Sequence, residues 1–401
     1  MNRYICEHPA QVSDANWPPA CRGDRLRVLC LSSQVLGLVR FGSAVEQGMA
    51  VDDTIDAVHI RLRSPTWLRA LGKSIPGLRG LDCHVLRHRA LWTQRVCRWF
   101  NRYIPIDHFD LLHVMNQHNA MPLLRIRGRC SPATVVAIDA TAKSEMRDFG
   151  YGPIDRAILA RGERRLFNGV DAVACMSGWA ADSVERDYGI HADRVIRTRI
   201  GLHPHAILKP GIPPPRRGLP RIAFVGNDWV RKGGDRLLGW HQSRWSERVE
   251  LHLVGRDCPN VRGARNVVWH GAVQHDRLLS ELLPSMDLSI LPTHEDTLVF
   301  ALLEAQACGV PVVASRLAGI ASDAVRDGIT GILCDASDDA AFIQAIEHLI
   351  DDPKRRAAMA AAARDWVGQA WSPEAGIRRY LGQLHRVARA RFAGAGQACT
   401  S

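Results

Sequence analysis

The sequence predicts an α/β protein with two Rossmann-like domains, each built on a doubly wound parallel sheet, that face a central cleft. Short, continuous apolar segments alternate with helical segments twice along the 401 residues, and a proline-rich stretch separates the two series. Continuous apolar strands are typical of parallel sheets with helices on both faces. The length also favours more than one domain, since a domain holds roughly 100–200 residues.

The first half of the chain contains four predicted strands. They occupy residues 25–33, 110–116, 132–140 and 169–177. Helical segments are predicted over residues 156–167 and 180–188. This alternation predicts an N-terminal Rossmann-like domain over residues 1–203.

The second half repeats the alternation after a linker. Residues 204–220 contain six prolines and no periodicity, which is typical of a linker. The predicted strands that follow are 221–227, 249–255, 266–271, 287–293, 309–315 and 331–335. The helical segments between them are 236–245, 276–283, 303–308 and 338–349. We therefore expect a C-terminal Rossmann-like domain over residues 221–370, and a helix within residues 371–401 that returns to the N-terminal domain.

The composition excludes several classes of protein. The chain is 46% hydrophobic and 23% charged, as in ordinary globular proteins rather than disordered or fibrous ones. It contains no stretch of about 18 uncharged apolar residues that would predict a transmembrane helix. The first residues lack the apolar run of a signal peptide, so a cytoplasmic protein is expected. The eleven cysteines are scattered without a C-x-x-C pair, which favours reduced, mostly buried thiols.

Positive charge is concentrated in the first half. The formal net charge of the chain is +11, and residues 1–205 carry 28 Lys/Arg against 20 Asp/Glu, a net of +8. Residues 61–130 alone hold 13 basic side chains and three acidic ones. The aromatic residues interleaved with them are Trp67, Trp92, Trp99, Phe100 and Tyr103. Such a segment suits an anionic membrane surface. Nucleic acid would meet a similar patch, and a solvated face with tryptophans in the core is the third alternative.

A cationic loop follows the first strand of the second half. In RIAFVGNDWVRKGGDRLL the strand ends at Gly226, and Arg231 and Lys232 precede the next helix. Helix N-termini at the carboxyl edge of a parallel sheet bind anions, because N–H groups and the helix dipole point at them. The loop is therefore suited to a diphosphate. It has neither the G-x-G-x-x-G nor the G-x-x-x-x-G-K-[ST] pattern, which argues against a dinucleotide site and a P-loop.

Two carboxylates follow a later strand of the same half. Asp296 comes shortly after the strand 287–293, and Glu304 lies eight residues further on in the next helix. Carboxylates accept hydrogen bonds from the hydroxyls of a sugar or ribose. The alternative is that Thr297 or Asp296 caps the helix and Glu304 is a surface charge. Together with the cationic loop, these residues offer cations for a diphosphate and carboxylates for hydroxyls, which is what a nucleotide sugar requires.

At these residues the sequence resembles glycosyltransferase family 4, a retaining family with the two-Rossmann-domain GT-B fold. DTLVFALLEAQACGVPVV is similar to the family's pattern of an acidic residue, seven residues and a glutamate, and DGITGILC to its D-G-x-x-G-x-L. The resemblance implies that Asp296 contacts the donor sugar, Glu304 the ribose, and Arg231 and Lys232 the diphosphate. The implied donor-binding residues are Gly226, Asn227, Arg231, Lys232, Leu298, Val299 and Glu304.

Two positions depart from the family's pattern. The usual Phe-Gly after the first acidic residue is Leu298-Val299 here, and the family's frequent arginine after the strand glycine is Asn227. In the family that glycine lets the backbone approach the donor sugar, so Leu298-Val299 bears on donor specificity and on activity.

In the N-terminal domain, Asp139 stands where relatives often have a histidine near the acceptor. We predict Asp139 as a second catalytic residue beside Asp296; the alternative is that Asp139 caps the next helix.

The resemblance implies transfer of a glycosyl group from a nucleoside diphosphate sugar to an acceptor hydroxyl with retention of configuration. The expected setting is bacterial polysaccharide, lipopolysaccharide or glycolipid synthesis, with no metal and no cofactor. The expected partners are the nucleotide-sugar donor, a saccharide or lipid-linked acceptor, and an anionic membrane surface that residues 61–130 would contact on its inner face. Nucleic acid is not expected. The alternatives left open are a degenerate, non-catalytic protein that binds nucleotide sugar or membrane, and a sugar epimerase of the same fold.

Overall fold

Among the described residues, two parallel sheets of seven and six strands organise the chain. The computed structural model describes residues 3–5, 24–33, 36–62, 66–71, 84–121, 131–149, 153–201, 218–257, 261, 263–317 and 319–398. The chain divides into two compact units, Met1–Ile200 with Ile377–Ser401 and Gly201–Gly376. The sequence placed these boundaries at residues 203 and 370. The predicted linker lies outside the described residues apart from 218–220.

A seven-stranded parallel sheet forms the centre of the first unit. Its strands are β1 (Arg3–Ile5), β2 (Leu26–Ser33), β3 (Ile55–Leu62), β4 (Leu111–Met115), β5 (Ala133–Ile138), β6 (Ala172–Cys175) and β7 (Val195–Arg197). Its helices are α1 (Leu36–Val51), α2 (Thr66–Leu71), α3 (His84–Tyr103), α4 (Gln117–Ala120), α5 (Ala142–Phe149), α6 (Pro153–Gly169) and α7 (Gly178–Tyr188). The strand order is β1-β3-β2-β4-β5-β6-β7. The sequence predicts β2, β4, β5 and β6, but not β1, β3 and β7.

The middle strands of this sheet place the candidate residue Asp139. All residues of β4 and β5 are buried, as expected for strands covered by helices on both faces. The two strands pair in parallel from Leu111 with Ala133 to Met115 with Ala137. Asn116 and Asp139 follow these strands directly, so both lie at the carboxyl edge of the sheet.

A six-stranded parallel sheet forms the centre of the second unit. Its strands are β8 (Arg221–Val225), β9 (Glu250–Val254), β10 (Val267–Gly271), β11 (Leu288–Leu291), β12 (Val312–Ser315) and β13 (Gly331–Cys334). Its helices are α8 (Gly234–Trp240), α9 (His275–Arg277), α10 (Phe300–Ala307), α11 (Ala321–Ala324), α12 (Asp339–Asp351) and α13 (Pro353–Ala370). The strand order is β10-β9-β8-β11-β12-β13, and all six strands were predicted from the sequence. A doubly wound α/β fold in each unit is thereby confirmed.

The last helix, α14 (Pro373–Ala398), connects the two units. The sequence predicts a helix in residues 371–401, and its residues from Ile377 onward belong to the first unit. Tyr380 of this helix is 2% exposed, and its hydroxyl lies 2.7 Å from Nε2 of His113 in β4. The described helices include none with the length and apolar character needed to cross a membrane.

Candidate functional site

The loops after β8, β11 and β12 meet at the carboxyl edge of the second sheet. Strands β8 and β11 are neighbours, with Leu288 paired to Ile222 and Ser289 to Ala223. The backbone oxygen of Arg231, in the loop after β8, accepts from the backbone N–H of His294 at 3.0 Å. In the loop after β12, a Cβ on Gly319 would lie 2.1 Å from the backbone oxygen of Thr297. The three loops therefore form one continuous surface.

The predicted cations and the first predicted carboxylate are ion-paired with one another. Oδ2 of Asp296 lies 3.0 Å from Nζ of Lys232 and 3.3 Å from a terminal nitrogen of Arg231. Arg231 also donates to Oδ2 of Asp228 at 2.8 Å and to the backbone oxygen of Glu295 at 2.8 Å. Burial opposes the charge of Arg231, but Asp296 and Asp228 outweigh it, so the pKa of Arg231 is raised above its usual value. The site thus gathers two cations, and without a ligand the carboxylates of Asp296 and Asp228 pair with them.

Glycines allow this loop to fold back on itself. A Cβ at Gly226 would lie 2.6 Å from Cδ of Lys232, so the glycine leaves room for the lysine side chain over the end of β8. Gly233, the N-cap of α8, has a φ of 74° and lies so near Pro292 that a Cβ would be 2.0 Å from its backbone oxygen. Only glycine adopts this conformation without strain. The sequence VRKGG therefore holds Lys232 against the loop after β11.

Three further candidates of the donor site, Asn227, Leu298 and Val299, differ in burial and in contacts. Oδ1 of Asn227 accepts from the backbone N–H of Arg256 at 3.2 Å and thereby joins the loop after β8 to the end of β9. Leu298 is half-buried. Val299 is 1% exposed and belongs to the core of the unit. The branched side chain of Val299 is therefore packed inside the protein and does not occupy the open edge of the sheet.

Glu304 is buried and hydrogen-bonded to a histidine that the sequence did not single out. Its exposed fraction is 2%, and its Oε1 lies 3.0 Å from Nε2 of His275. Glu304 sits on α10, whose N-cap residue, Val299, makes no capping hydrogen bond with its side chain. Glu304 is thus not a surface charge, and the N-cap of α10 is Val299 rather than Thr297 or Asp296, so the alternative suggested by the sequence is wrong.

In the first unit, Asp139 follows β5 and begins a hydrogen-bonded loop. The hydroxyl oxygen of Thr141 accepts from the backbone N–H of Ser144 at 3.0 Å, and Ser144 Oγ accepts from the N–H of Thr141 at 3.1 Å. This reciprocal pair caps α5, so Asp139 does not have the capping role that was its alternative. Beside it, the buried Glu163 accepts from the N–H of Ala142 at 2.9 Å. These hydrogen bonds fix the backbone of the loop that carries Asp139.

The other titratable clusters lie away from these loops. His252 and His270 stack at the β9–β10 edge, with Nδ1 of His252 2.8 Å from Nε2 of His270, and burial lowers the pKa of both rings. In the part of the chain that the structure describes, no group of three or more His, Cys, Asp or Glu side chains is arranged to hold a metal ion.

The sequence missed the residues that position the predicted ones. His275 is the first residue of α9, and Thr293 and Gly319 lie in the loops after β11 and β12; the sequence pattern assigned none of the three a role. Thr293 is fully buried and donates to the backbone oxygens of Arg231 and Glu295 at 3.1 and 3.0 Å. Its position at the end of the predicted strand 287–293 was the signal in the sequence, because side chains there lie at the edge where ligands bind in open α/β sheets.

Comparison with known proteins identifies relatives of this chain. Residues 219–352 match the family described as glycosyl transferases group 1. A D-inositol 3-phosphate glycosyltransferase of Thermomonospora curvata is 29% identical over 303 residues, which cover 64% of this chain and 67% of the relative. The glycosyl transferase WcaC of Escherichia coli K12, named for colanic acid biosynthesis, is 34% identical over 182 residues, or 43% of each chain. The match therefore spans less than half of that second relative.

Solved structures agree over most of the chain. Sucrose-phosphate synthase from Thermosynechococcus elongatus superposes with a TM-score of 0.69 at 18% identity, covering 91% of this chain and all of that one. HepE of Anabaena, solved in complex with UDP and glucose, superposes with a TM-score of 0.61 at 15% identity, covering 90% of this chain and all of that one. At these identities the similarity shows the fold. The chain therefore resembles glycosyltransferases in sequence, with the family match in residues 219–352, and it has the two-Rossmann-domain GT-B fold of the solved structures.

Proposed function

We propose that the protein transfers a glycosyl group from a nucleoside diphosphate sugar to an acceptor hydroxyl, with retention of anomeric configuration. The observation that carries this proposal is the cluster of Arg231, Lys232 and Asp296 at the carboxyl edge of the second sheet, with Glu304 on the adjoining helix. The complex of HepE with UDP and glucose supports a donor of this class. The similarity to WcaC, which is named for colanic acid biosynthesis, supports a role in polysaccharide synthesis. The proposed acceptor is a saccharide or a lipid-linked saccharide.

The chemistry follows from the charges of the cluster. Cleavage of the glycosidic bond leaves negative charge on the diphosphate, and Lys232 and Arg231 stabilise that charge by preorganised electrostatics, with no metal required. The diphosphate competes with Asp296 for these cations, so binding of the donor releases the carboxylate. Asp296 then accepts hydrogen bonds from the sugar hydroxyls, while Glu304 accepts them from the ribose.

The first unit supplies the acceptor side in this proposal. Asp139 lies at the carboxyl edge of the first sheet, where parallel α/β sheets bind their ligands. Gln117 donates to the backbone oxygen of Ala140 at 3.1 Å and to Oε1 of Glu163 at 3.0 Å, which fixes the loop around Asp139. A carboxylate held in this way suits an acceptor hydroxyl, which it can orient or deprotonate.

A panel of UDP-, GDP-, ADP- and dTDP-sugars tests the donor. One member should raise the melting temperature of the full chain, because a ligand that binds only the folded state stabilises it by mass action. Lys232→Ala and Glu304→Ala should abolish both that stabilisation and the release of nucleoside diphosphate. Lys354→Ala and Glu281→Ala, which change exposed residues of the same unit, are the matched controls.

The outcomes separate the alternatives. Stabilisation by a nucleotide sugar without turnover in the presence of acceptor saccharides would indicate a degenerate binding protein. Conversion of the donor sugar into its epimer without an acceptor would indicate an epimerase. Turnover by the Lys232 and Glu304 variants at the rate of the unchanged protein would contradict the assignment of the site.

A further inference from the structure

A groove between α2 and α3 of the first unit combines exposed aromatic and apolar side chains with arginines. We call it the basic–aromatic groove; it encloses about 370 Å³. The residues that define it here are Trp67, Leu91, Arg95, Arg98, Arg102 and Tyr103. Leu91, Arg95, Arg98 and Arg102 lie on one face of α3, at the spacing of successive helical turns, and Tyr103 ends the helix beside them. The groove lies within the segment 61–130 and is not part of the loops described above.

The arginines of the groove have no acidic partner in the part of the chain that the structure describes. Helix α3 contains five arginines and no Asp or Glu along its 20 residues. Among the described residues, none forms an ion pair with Arg95, Arg98 or Arg102. Exposed arginines of the second unit differ, since Arg244 and Arg248, for example, pair with acidic residues at 3.4 and 2.7 Å. The groove therefore concentrates positive charge, and an anionic partner would neutralise it.

The apolar part of the groove faces solvent. Trp67 is 55% exposed and Leu91 is 41% exposed, whereas Trp99 beneath them is 8% exposed. A tryptophan and a leucine beside arginines match the preferences of a membrane interface, where aromatic rings lie at the level of the headgroups and arginines meet the phosphates.

The opposite face of α3 is fixed to the body of the unit. Nε1 of Trp92 donates to Oδ1 of Asn119 at 2.7 Å, next to the end of β4, and Val96 and Phe100 are buried in the core. The helix cannot rotate to bury Leu91 without breaking these contacts. The groove is therefore a fixed feature of the surface, and the same contacts join it to the edge where Asp139 follows β5.

We propose that the basic–aromatic groove docks the protein on an anionic phospholipid bilayer. Arg95, Arg98 and Arg102 contact lipid phosphates, and Trp67 and Leu91 enter the interfacial region. Single-stranded nucleic acid fits less well, because it needs open aromatic faces for stacking. Trp99 is buried, and Arg102 covers the ring of Tyr103 at 5.5 Å, so Trp67 is the open ring of the groove. This inference goes beyond the proposed function and requires neither donor nor acceptor.

Sedimentation of the full chain with vesicles tests the docking. The protein should bind vesicles of phosphatidylcholine with phosphatidylglycerol, should not bind phosphatidylcholine alone, and should be released at about 1 M salt. The triple change Arg95→Gln, Arg98→Gln and Arg102→Gln should lower the partition coefficient roughly 100-fold, because each arginine near an anionic surface contributes about fivefold. The corresponding lysine changes should retain most of the binding.

Matched variants exclude effects of net charge and of tryptophan content. Arg244→Gln, Arg248→Gln and Arg277→Gln remove the same charge from exposed positions of the second unit, and Trp269→Ala removes a ring that is 49% exposed there. These variants should bind as the unchanged protein does, whereas Trp67→Ala should bind more weakly. Equal binding by the groove variants and their controls would overturn the proposal, as would binding of single-stranded RNA without binding of vesicles.

Discussion

At the scale of single residues, Asp296 and a bound diphosphate would compete for the same two cations. Without a ligand it pairs with Lys232 at 3.0 Å and Arg231 at 3.3 Å, and its side chain is about one tenth exposed. A diphosphate would supply negative charge to the same two cations. The carboxylate that we propose contacts the donor sugar is therefore also the group that a free nucleoside diphosphate must displace.

This competition predicts opposite effects of two substitutions. Asp296→Asn should tighten the binding of a free nucleoside diphosphate about three- to tenfold, because the amide no longer neutralises Lys232. The same variant should transfer sugar more slowly, since the amide accepts hydrogen bonds less strongly than a carboxylate. Lys232→Ala should weaken diphosphate binding. Isothermal titration calorimetry measures both affinities, and Asp228→Asn, which acts on Arg231 alone, is the control. Weaker diphosphate binding by Asp296→Asn would contradict the proposal that Asp296 and the diphosphate compete for Lys232 and Arg231.

The sequence indicated the charged residues of the site but not their supports. Lys232, Asp296 and Glu304 stand in contiguous motifs next to strands, where chemistry and position can be recognised together. His275 lies 29 residues before Glu304 and belongs to no motif, and one histidine among 17 indicates nothing by itself. Val299 was assigned to the donor site because the family has glycine there, and only the structure shows that its side chain is in the core.

At the scale of elements, α14 is attached to the first sheet through a buried hydrogen bond. Tyr380 of α14 and His113 of β4 are 2% and 1% exposed, and Phe41 of α1 packs against the Tyr380 ring with centroids 5.8 Å apart. Burial lowers the pKa of His113 to about 3, so its ring is neutral at neutral pH. The hydroxyl and the imidazole therefore form a bond between two neutral groups that no water can replace.

Removal of this hydroxyl should destabilise the protein. Tyr380→Phe leaves a ring nitrogen of His113 buried without its partner, and we expect the free energy of unfolding to fall by about 1–3 kcal/mol. Tyr103→Phe makes the same chemical change at a half-buried site where no described residue bonds the hydroxyl, and should change stability little. Urea unfolding followed by circular dichroism measures both variants. Equal stability of the two would show that the bond to His113 contributes nothing.

The sequence predicted the strands that are continuous apolar segments and missed strands whose apolar pattern is interrupted by charged or polar residues. The strands β4, β5 and β11 are continuous apolar segments and were found. Strand β3, IDAVHIRL, was missed because Asp56, His59 and Arg61 interrupt its apolar pattern. In the structure Arg61 pairs with Glu46 of the preceding helix α1 at 3.0 Å, so a residue outside the strand compensates the charge. Such compensation is tertiary and cannot be recognised in a short window of sequence.

At the scale of the whole molecule, the return of α14 separates the charge of the chain more sharply than its sequence halves do. The segment Ile377–Ser401 adds five arginines and no acidic residue to the first unit. That unit then carries 33 Lys/Arg against 20 Asp/Glu, a net of +13, and the second carries 19 against 21, a net of −2. The unit with the proposed donor site is thus nearly neutral, and the cations of that site are Arg231 and Lys232 in the loop after β8.

This distribution of charge between the two units predicts which residues a bound nucleoside diphosphate protects from hydrogen exchange. Hydrogen exchange of the full chain with the nucleoside diphosphate selected by the sugar panel should show its strongest protection in residues 226–234 and 293–304, because both loops contact the same phosphates. The protection should be lost in Lys232→Ala and kept in Lys354→Ala. If the ligand were held instead by the larger charge of the first unit, protection would concentrate in α3 and fall steeply with added salt. That result would contradict the donor site and leave the basic–aromatic groove as the anion site of the protein.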